Sequence, residues 1–195
     1  MHLIYFGLPY PDSDILRVVG DYGFKLIAID APLSLPLGLC CLEESCPCQP
    51  ETEAKGRSCE RELAKQGIGL FRTTKNSIIK GMVYRGIKLK AELETIGCEV
   101  IEVYPYASKV RLWGRNIPKK TTSKGLAFLR QHISQLLPDS ASNVGGFNHD
   151  LCDAAIAAYT AFLYSQGKTE LCGDIAEGVI CLPLSMALTP RLPRF

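Results

Sequence analysis

The 195-residue sequence has no run of the ~18 to 20 apolar residues that a membrane-spanning helix requires. Its opening, "MHLIYFGLPYP", lacks the basic start and the small-residue cleavage site of a signal peptide. Both absences point to a cytoplasmic protein with no membrane contact. No internal repeat and no low-complexity segment is present, which argues against a solenoid or tandem array. The nine cysteines are an odd count with no secretion signal, so a disulfide framework is not expected. What remains is ordinary: 47% apolar and 22% charged residues, enough for one globular domain with a core of its own.

The net charge of +2 hides an uneven distribution. Between Lys55 and Lys90 stand ten Lys/Arg and two acids, a balance of +8. Between Lys109 and Lys124 stand six Lys/Arg and no acid. The rest of the chain is therefore acidic, at −12. A basic surface attracts phosphate backbones, so DNA or RNA is a candidate partner, with Arg72, Lys75, Lys80 and Arg85 as candidate contacts. The competing reading is solvated helix faces and loops.

Alternation of apolar runs predicts an α/β fold. Residues 2–6 ("HLIYF") read as a strand, 12–23 as a helix, and 25–30 ("KLIAID") as a buried strand closed by "APLSLP". Residues 31–57 show no regular pattern, and a Cys-rich insertion at about 37–59 lies within a single domain spanning 1–195. A helix can start at Ser58 and run through Lys65. A helix over 85–97, a strand over 99–104, a helix over 121–137 capped by Thr121 or Thr122, a long helix from about Gly146 to Gly167 and a strand over 178–183 complete the pattern. The tail "TPRLPRF" reads as loose.

Acids at the C-terminal ends of parallel strands lie where open α/β sheets bind ligands. Asp30 ends one predicted strand and Glu102 lies near the end of another. Asp150 and Asp153, three apart, share one face of the long helix with Ala154, Ala157 and Ala161. Small residues there let that helix lie close to a sheet, so that its first turn can meet the strand ends. Three converging carboxylates need a divalent cation among them, and oxygen ligands suit Mg²⁺ or Mn²⁺. The plain alternatives are that Asp30 accepts loop amides and that the aspartate pair only caps its helix.

The stretches "LIAIDAPLSLP", "RSCERELAKQGIG", "EVIEVYPYASK", "HDLCDAAIAAYTAF" and "EGVICLP", in that order, resemble the DUF429 family of predicted nucleases with a ribonuclease H-like fold. A more distant likeness is to Holliday-junction resolvases of that fold, whose "DxxDA" matches Asp150, Asp153 and Ala154. The resemblance implies a mixed sheet flanked by helices, with Asp30, Asp150 and Asp153 as catalytic metal ligands. Glu102 gains a catalytic role from the nearer family alone. The fold usually opens with a strand carrying the first catalytic aspartate in a pattern like "GIDxxG", and nothing here fits it. By this reading the chain is N-terminally truncated by two strands, roughly thirty residues. The edge of "KLIAID" is then open, for "HLIYF" to fill or for two copies to pair as a homodimer.

Cys40, Cys41, Cys46, Cys48 and Cys59 crowd one loop. Four thiolates make a tetrahedral zinc site, and Cys40, Cys46, Cys48 and Cys59 are the candidate set for a structural Zn²⁺. An iron–sulfur cluster fits less well because the spacing follows no known run. Free thiols are the alternative. Three functional readings follow. The first is a metal-dependent nuclease, impaired by loss of its first ligand. The others are a non-catalytic nucleic-acid-binding module and a zinc-stabilised interaction protein.

Overall fold

A computed structural model of the chain describes residues 2–140 and 143–185; the tail "TPRLPRF" lies outside them. Six helices are present among the described residues: α1 (Asp12–Tyr22), α2 (Ser58–Lys65), α3 (Lys80–Thr95), α4 (Pro105–Trp113), α5 (Ser123–Leu136) and α6 (His149–Ser165). The strands are β1 (Leu26–Ile29), β2 (Glu99–Glu102), β3 (Thr169–Cys172) and β4 (Ile180–Pro183). The fold is α/β. β1 pairs with β2, and β3 with β4, in two two-stranded sheets. The chain divides into two compact units, one centred on Pro105–Glu170 and the other formed by Pro9–Tyr104 with Leu171–Cys181.

The second unit is built around the parallel pair. Leu26 lies opposite Glu99 and Ile29 opposite Glu102, so Asp30 and Glu102 sit near the same end of the pair. Parallel strands need a long crossover, and residues 30–98 supply it with α2 and α3. α1 ends at Gly23, whose left-handed φ of 66° lets its N–H reach back to Gly20 and Val19. Its Val19 packs with Leu89 and Leu93 of α3, beside Ile27 and Ile29. α3 starts at Lys80 rather than near Arg85, because burying Val83 outweighs the ~1 kcal/mol that Gly81 costs a helix. Gly86 inside α3 is required by packing. A Cβ there would stand 2.9 Å from the Pro32 carbonyl oxygen, so the helix is pressed against the turn that follows Asp30.

The first unit is helical at its centre. Leu129 and Ile133 of α5 meet Cys152 and Ile156 of α6 around Phe147. α6 is capped by Asn148, whose side chain accepts the Leu151 N–H at 2.9 Å. Asp150 and Asp153 are thus not the cap. Ala157 and Ala161 are buried, but the main neighbours of α6 are helices α4 and α5 rather than a sheet. Thr160 meets Ser108 of α4 at 3.1 Å, hydroxyl to hydroxyl, a close approach that small residues permit.

Residues 2–6 form no strand. They find no ladder to join, and their apolar side chains are used otherwise: Leu3 packs against the first unit's core, and Phe6 lies 5.4 Å from Phe147, ring to ring. α4, with Pro105 at its first position and Gly114 just past its end, carries the usual helix punctuation.

Candidate functional site

In the second unit the side chain at the centre is Arg57, just before α2. It is 1% exposed. Its Nη1 and Nη2 donate to the two oxygens of Glu102 at 2.7 and 2.6 Å, and its Nε to Glu60 at 3.0 Å. Glu102 also accepts the Leu33 N–H at 2.8 Å, and Glu60 accepts the Thr73 N–H at 2.8 Å. Burial works against the Arg57 charge. The hydrogen bonds and charge of Glu102 more than offset it and hold the guanidinium protonated above its ordinary range. The oxygens of Glu102 are thereby committed. It anchors the loop after Asp30 and leaves little to offer a metal ion. Glu177 completes the network by accepting the N–H groups of Ser58 and Leu37.

Asp30 is exposed at the end of β1. It lines a pocket of about 80 Å³ together with Arg57, Phe71, Met82, Glu102 and Tyr104. Phe71 is 64% exposed beside it. Of the four acids expected in a metal site, Asp30 and Glu102 thus share one pocket, and Asp150 and Asp153 belong to the other unit.

Asp150 is exposed on the first turn of α6. Asp153 is buried, and both of its oxygens are taken: Lys109 of α4 donates at 2.8 Å and Lys120 at 2.9 Å. The Lys109 side chain is 3% exposed, so the pair is nearly dry. As arranged, this donor set does not fit a divalent cation, because ammonium groups already hold the charge of Asp153. Asp153→Asn is therefore expected to cost about 3 kcal/mol, chiefly by stranding Lys109. Lys120, with its side chain 54% exposed, adds little to that. Asp150→Asn is expected to stay within ~0.5 to 1 kcal/mol. Denaturant unfolding of the two variants checks the contrast, and equal small shifts would contradict it.

The basic stretch between Lys55 and Lys90 is largely answered by acids. Arg57, Arg61, Lys80, Arg85, Lys88 and Lys90 are ion-paired, with Glu102, Glu177, Glu43, Asp12, Glu92 and Glu94. Lys75 donates to the Cys46 carbonyl at 2.5 Å, and Arg72 to the Lys55 carbonyl at 3.1 Å. Residues Pro9–Tyr104 and Leu171–Cys181 together carry twelve Lys/Arg against sixteen acids, a net of −4. Pro105–Glu170 carries eight against four, a net of +4. Positive charge therefore resides in the first unit. There Arg115, Lys119 and Lys120 are exposed on the loop entering α5, and Lys124 is exposed in its first turn.

The Cys-rich loop brings four sulfurs together. They are those of Cys40, Cys41, Cys46 and Cys48, all within 4.8 Å of one another. Cys59 is not among them. It is buried in the first turn of α2, and a Cβ on Gly173 would lie 2.6 Å from its own Cβ. The fourth sulfur is Cys41, adjacent to Cys40 in sequence. Cys40 and Cys46 stand 3.6 Å apart. A tetrahedron with Zn–S bonds of ~2.3 Å has edges of about 3.8 Å, so the cluster can hold a metal ion with little change. Backbone amides, that of Cys40 foremost, draw the Cys48 thiol down to about 6. Hydrogen bonding to Cys46 and then Cys48 pushes Cys40 up to about 12. Sequence spacing missed Cys41 as a member of the sulfur cluster, and it missed the Arg57, Glu60 and Glu177 network. Only the density of charge in "GRSCERE" hinted at the latter.

A comparison with protein families finds a match over residues 12–177 to the model described as "Protein of unknown function (DUF429)". Neither the curated proteins nor the solved structures give a match. The matched span includes the Arg57 network, the Cys-rich loop and both acid groups, and the chain belongs to the DUF429 family.

Proposed function

We propose that the chain is a nucleic-acid-binding protein of the ribonuclease H-like class, stabilised by zinc in its Cys-rich loop. The observation that carries the reading is the exposed group Arg115, Lys119, Lys120 and Lys124 in the unit whose net charge is positive; Lys109 and Arg111 of the same segment are ion-paired with Asp153 and Glu170, and Lys120 also reaches Asp153. Its exposed lysines lead into the N-terminus of α5, where the helix dipole also favours phosphate. Zinc suits four thiolates at tetrahedral spacing. Nine cysteines without a disulfide suit a reducing, cytoplasmic compartment. Two copies would join along β1, which pairs with β2 alone among the described residues and is half-buried throughout.

Nuclease activity with Mg²⁺ or Mn²⁺ is the second reading. It is favoured by Asp30, an exposed carboxylate at the C-terminal end of a parallel strand in a pocket. Incubation of the protein with Mn²⁺ and labelled single-stranded, duplex, hybrid and four-way-junction substrates separates the two. The first reading expects retarded, intact substrate. Cleavage that Asp30→Asn abolishes would establish the second. Neither retention nor cleavage would remove both.

No helix among the described residues is long and apolar enough to cross a membrane.

A further inference from the structure

The cysteine cluster and the Asp30 pocket share a wall. Residues 70–84 supply Phe71, Ile79 and Met82 to the pocket lining. The same stretch holds the Cys-rich loop at several points. The Leu42 N–H donates to the Tyr84 hydroxyl at 2.7 Å, and the Asn76 N–H to the Leu42 carbonyl at 3.2 Å. Glu43 accepts from Lys80 at 2.7 Å and from Tyr84 at 3.2 Å. Leu42 is fully buried. The Lys75 ammonium on the Cys46 carbonyl places positive charge beside sulfurs that, as four thiolates around Zn²⁺, would carry a net charge of −2.

We propose that metal at Cys40, Cys41, Cys46 and Cys48 is the clamp that orders residues 70–84 and so shapes the pocket containing Asp30. The inference rests on the zinc reading and adds a consequence for a second site. The loop has few apolar residues to fold itself. Outside the cluster, the Glu51 N–H donates to the Leu37 carbonyl at 2.9 Å across its two ends, and the Leu39 N–H to the Pro36 carbonyl at 3.1 Å in a local turn. Without the metal, the four sulfurs lose the ion that holds them together, and the polar bonds from Leu42, Glu43 and Cys46 lose their fixed partners. A clamp made of hydrogen bonds and one solvent-exposed ion pair, each weak on its own, holds only while both sides are pre-ordered. Metal is what pre-orders the loop side.

The test is hydrogen exchange of the whole protein, with zinc and after chelation, alongside metal analysis. With zinc bound, amides in 38–51 and in 72–84 are protected. Chelation is expected to speed exchange in both, by roughly tenfold or more. Glu43→Ala, which removes the Lys80 and Tyr84 bonds but no sulfur, is expected to keep its zinc and to speed exchange in 75–84 alone. Zinc present, with chelation loosening 38–51 but leaving 72–84 unchanged, would overturn the clamp and leave the zinc reading standing. No zinc in the purified protein would overturn both.

Discussion

Replacing Arg57 with alanine is expected to cost the second unit about 3 to 5 kcal/mol. The side chain is buried and satisfies two buried acids at once, Glu102 through a two-pronged contact and Glu60 through Nε. Removing it leaves both carboxylates dry and unpaired, which costs more than the pairs contribute when intact. Arg57→Lys should recover little, because a single ammonium cannot reach both acids with the geometry of a planar fork. Pairing Arg57→Met with Glu102→Gln should lose less than the sum of the two single losses, since each change removes the partner the other strands. Denaturant unfolding of the single and double variants measures this. An Arg57→Ala loss below ~1 kcal/mol would mean that water reaches the network.

Removing the metal is expected to have the second large effect. The protein purified with zinc present should carry about one zinc per chain, and Cys46→Ser should lose most of it. Where free zinc exceeds Kd a thousandfold, binding stabilises the folded form by about 4 kcal/mol. Chelation should then lower the thermal midpoint of the second unit by roughly 15 °C or more. Cys59→Ser is the control. Cys59 lies outside the cluster, so this variant should keep its zinc, although it loses stability through a polar hydroxyl in a dry position. Zinc lost from Cys59→Ser and retained by Cys46→Ser would reverse the assignment of ligands.

Much of the fold was legible because it is local. The span of α2 is bounded by Ser58 and Lys65 as its periodicity indicates, and Gly23 and Gly97 stand where helices end. Asp30 and Glu102 each follow an apolar run that marks a strand end, and the two strands pair in parallel. What could not be read depends on distant partners. A run of ten Lys/Arg looks like a basic face until Asp12, Glu43 and Glu177 fold onto it from other parts of the chain. Asp153 looks like a metal ligand until Lys109 and Lys120 arrive. The make-up of the sulfur cluster depends on loop geometry, in which adjacent Cys40 and Cys41 both turn toward Cys46 and Cys48 while Cys59 is carried off by α2. β3 is four residues long and half-polar, too short to show alternation against the turns around it.

The proposed nucleic-acid contact is made by the exposed cations around the start of α5, Arg115, Lys119 and Lys124 among them. Titration of a labelled oligonucleotide at several salt concentrations tests it most directly, with the natural protein, Lys119→Glu/Lys124→Glu, and Arg72→Glu/Lys75→Glu. Affinity is expected to fall steeply with salt, by about 0.7 to 0.9 in log–log slope per phosphate contacted. The first pair of reversals should weaken binding by roughly tenfold or more and the second pair by far less. Binding that ignores salt, or that is lost with Arg72 and Lys75 and untouched by Lys119 and Lys124, would contradict the proposed contact.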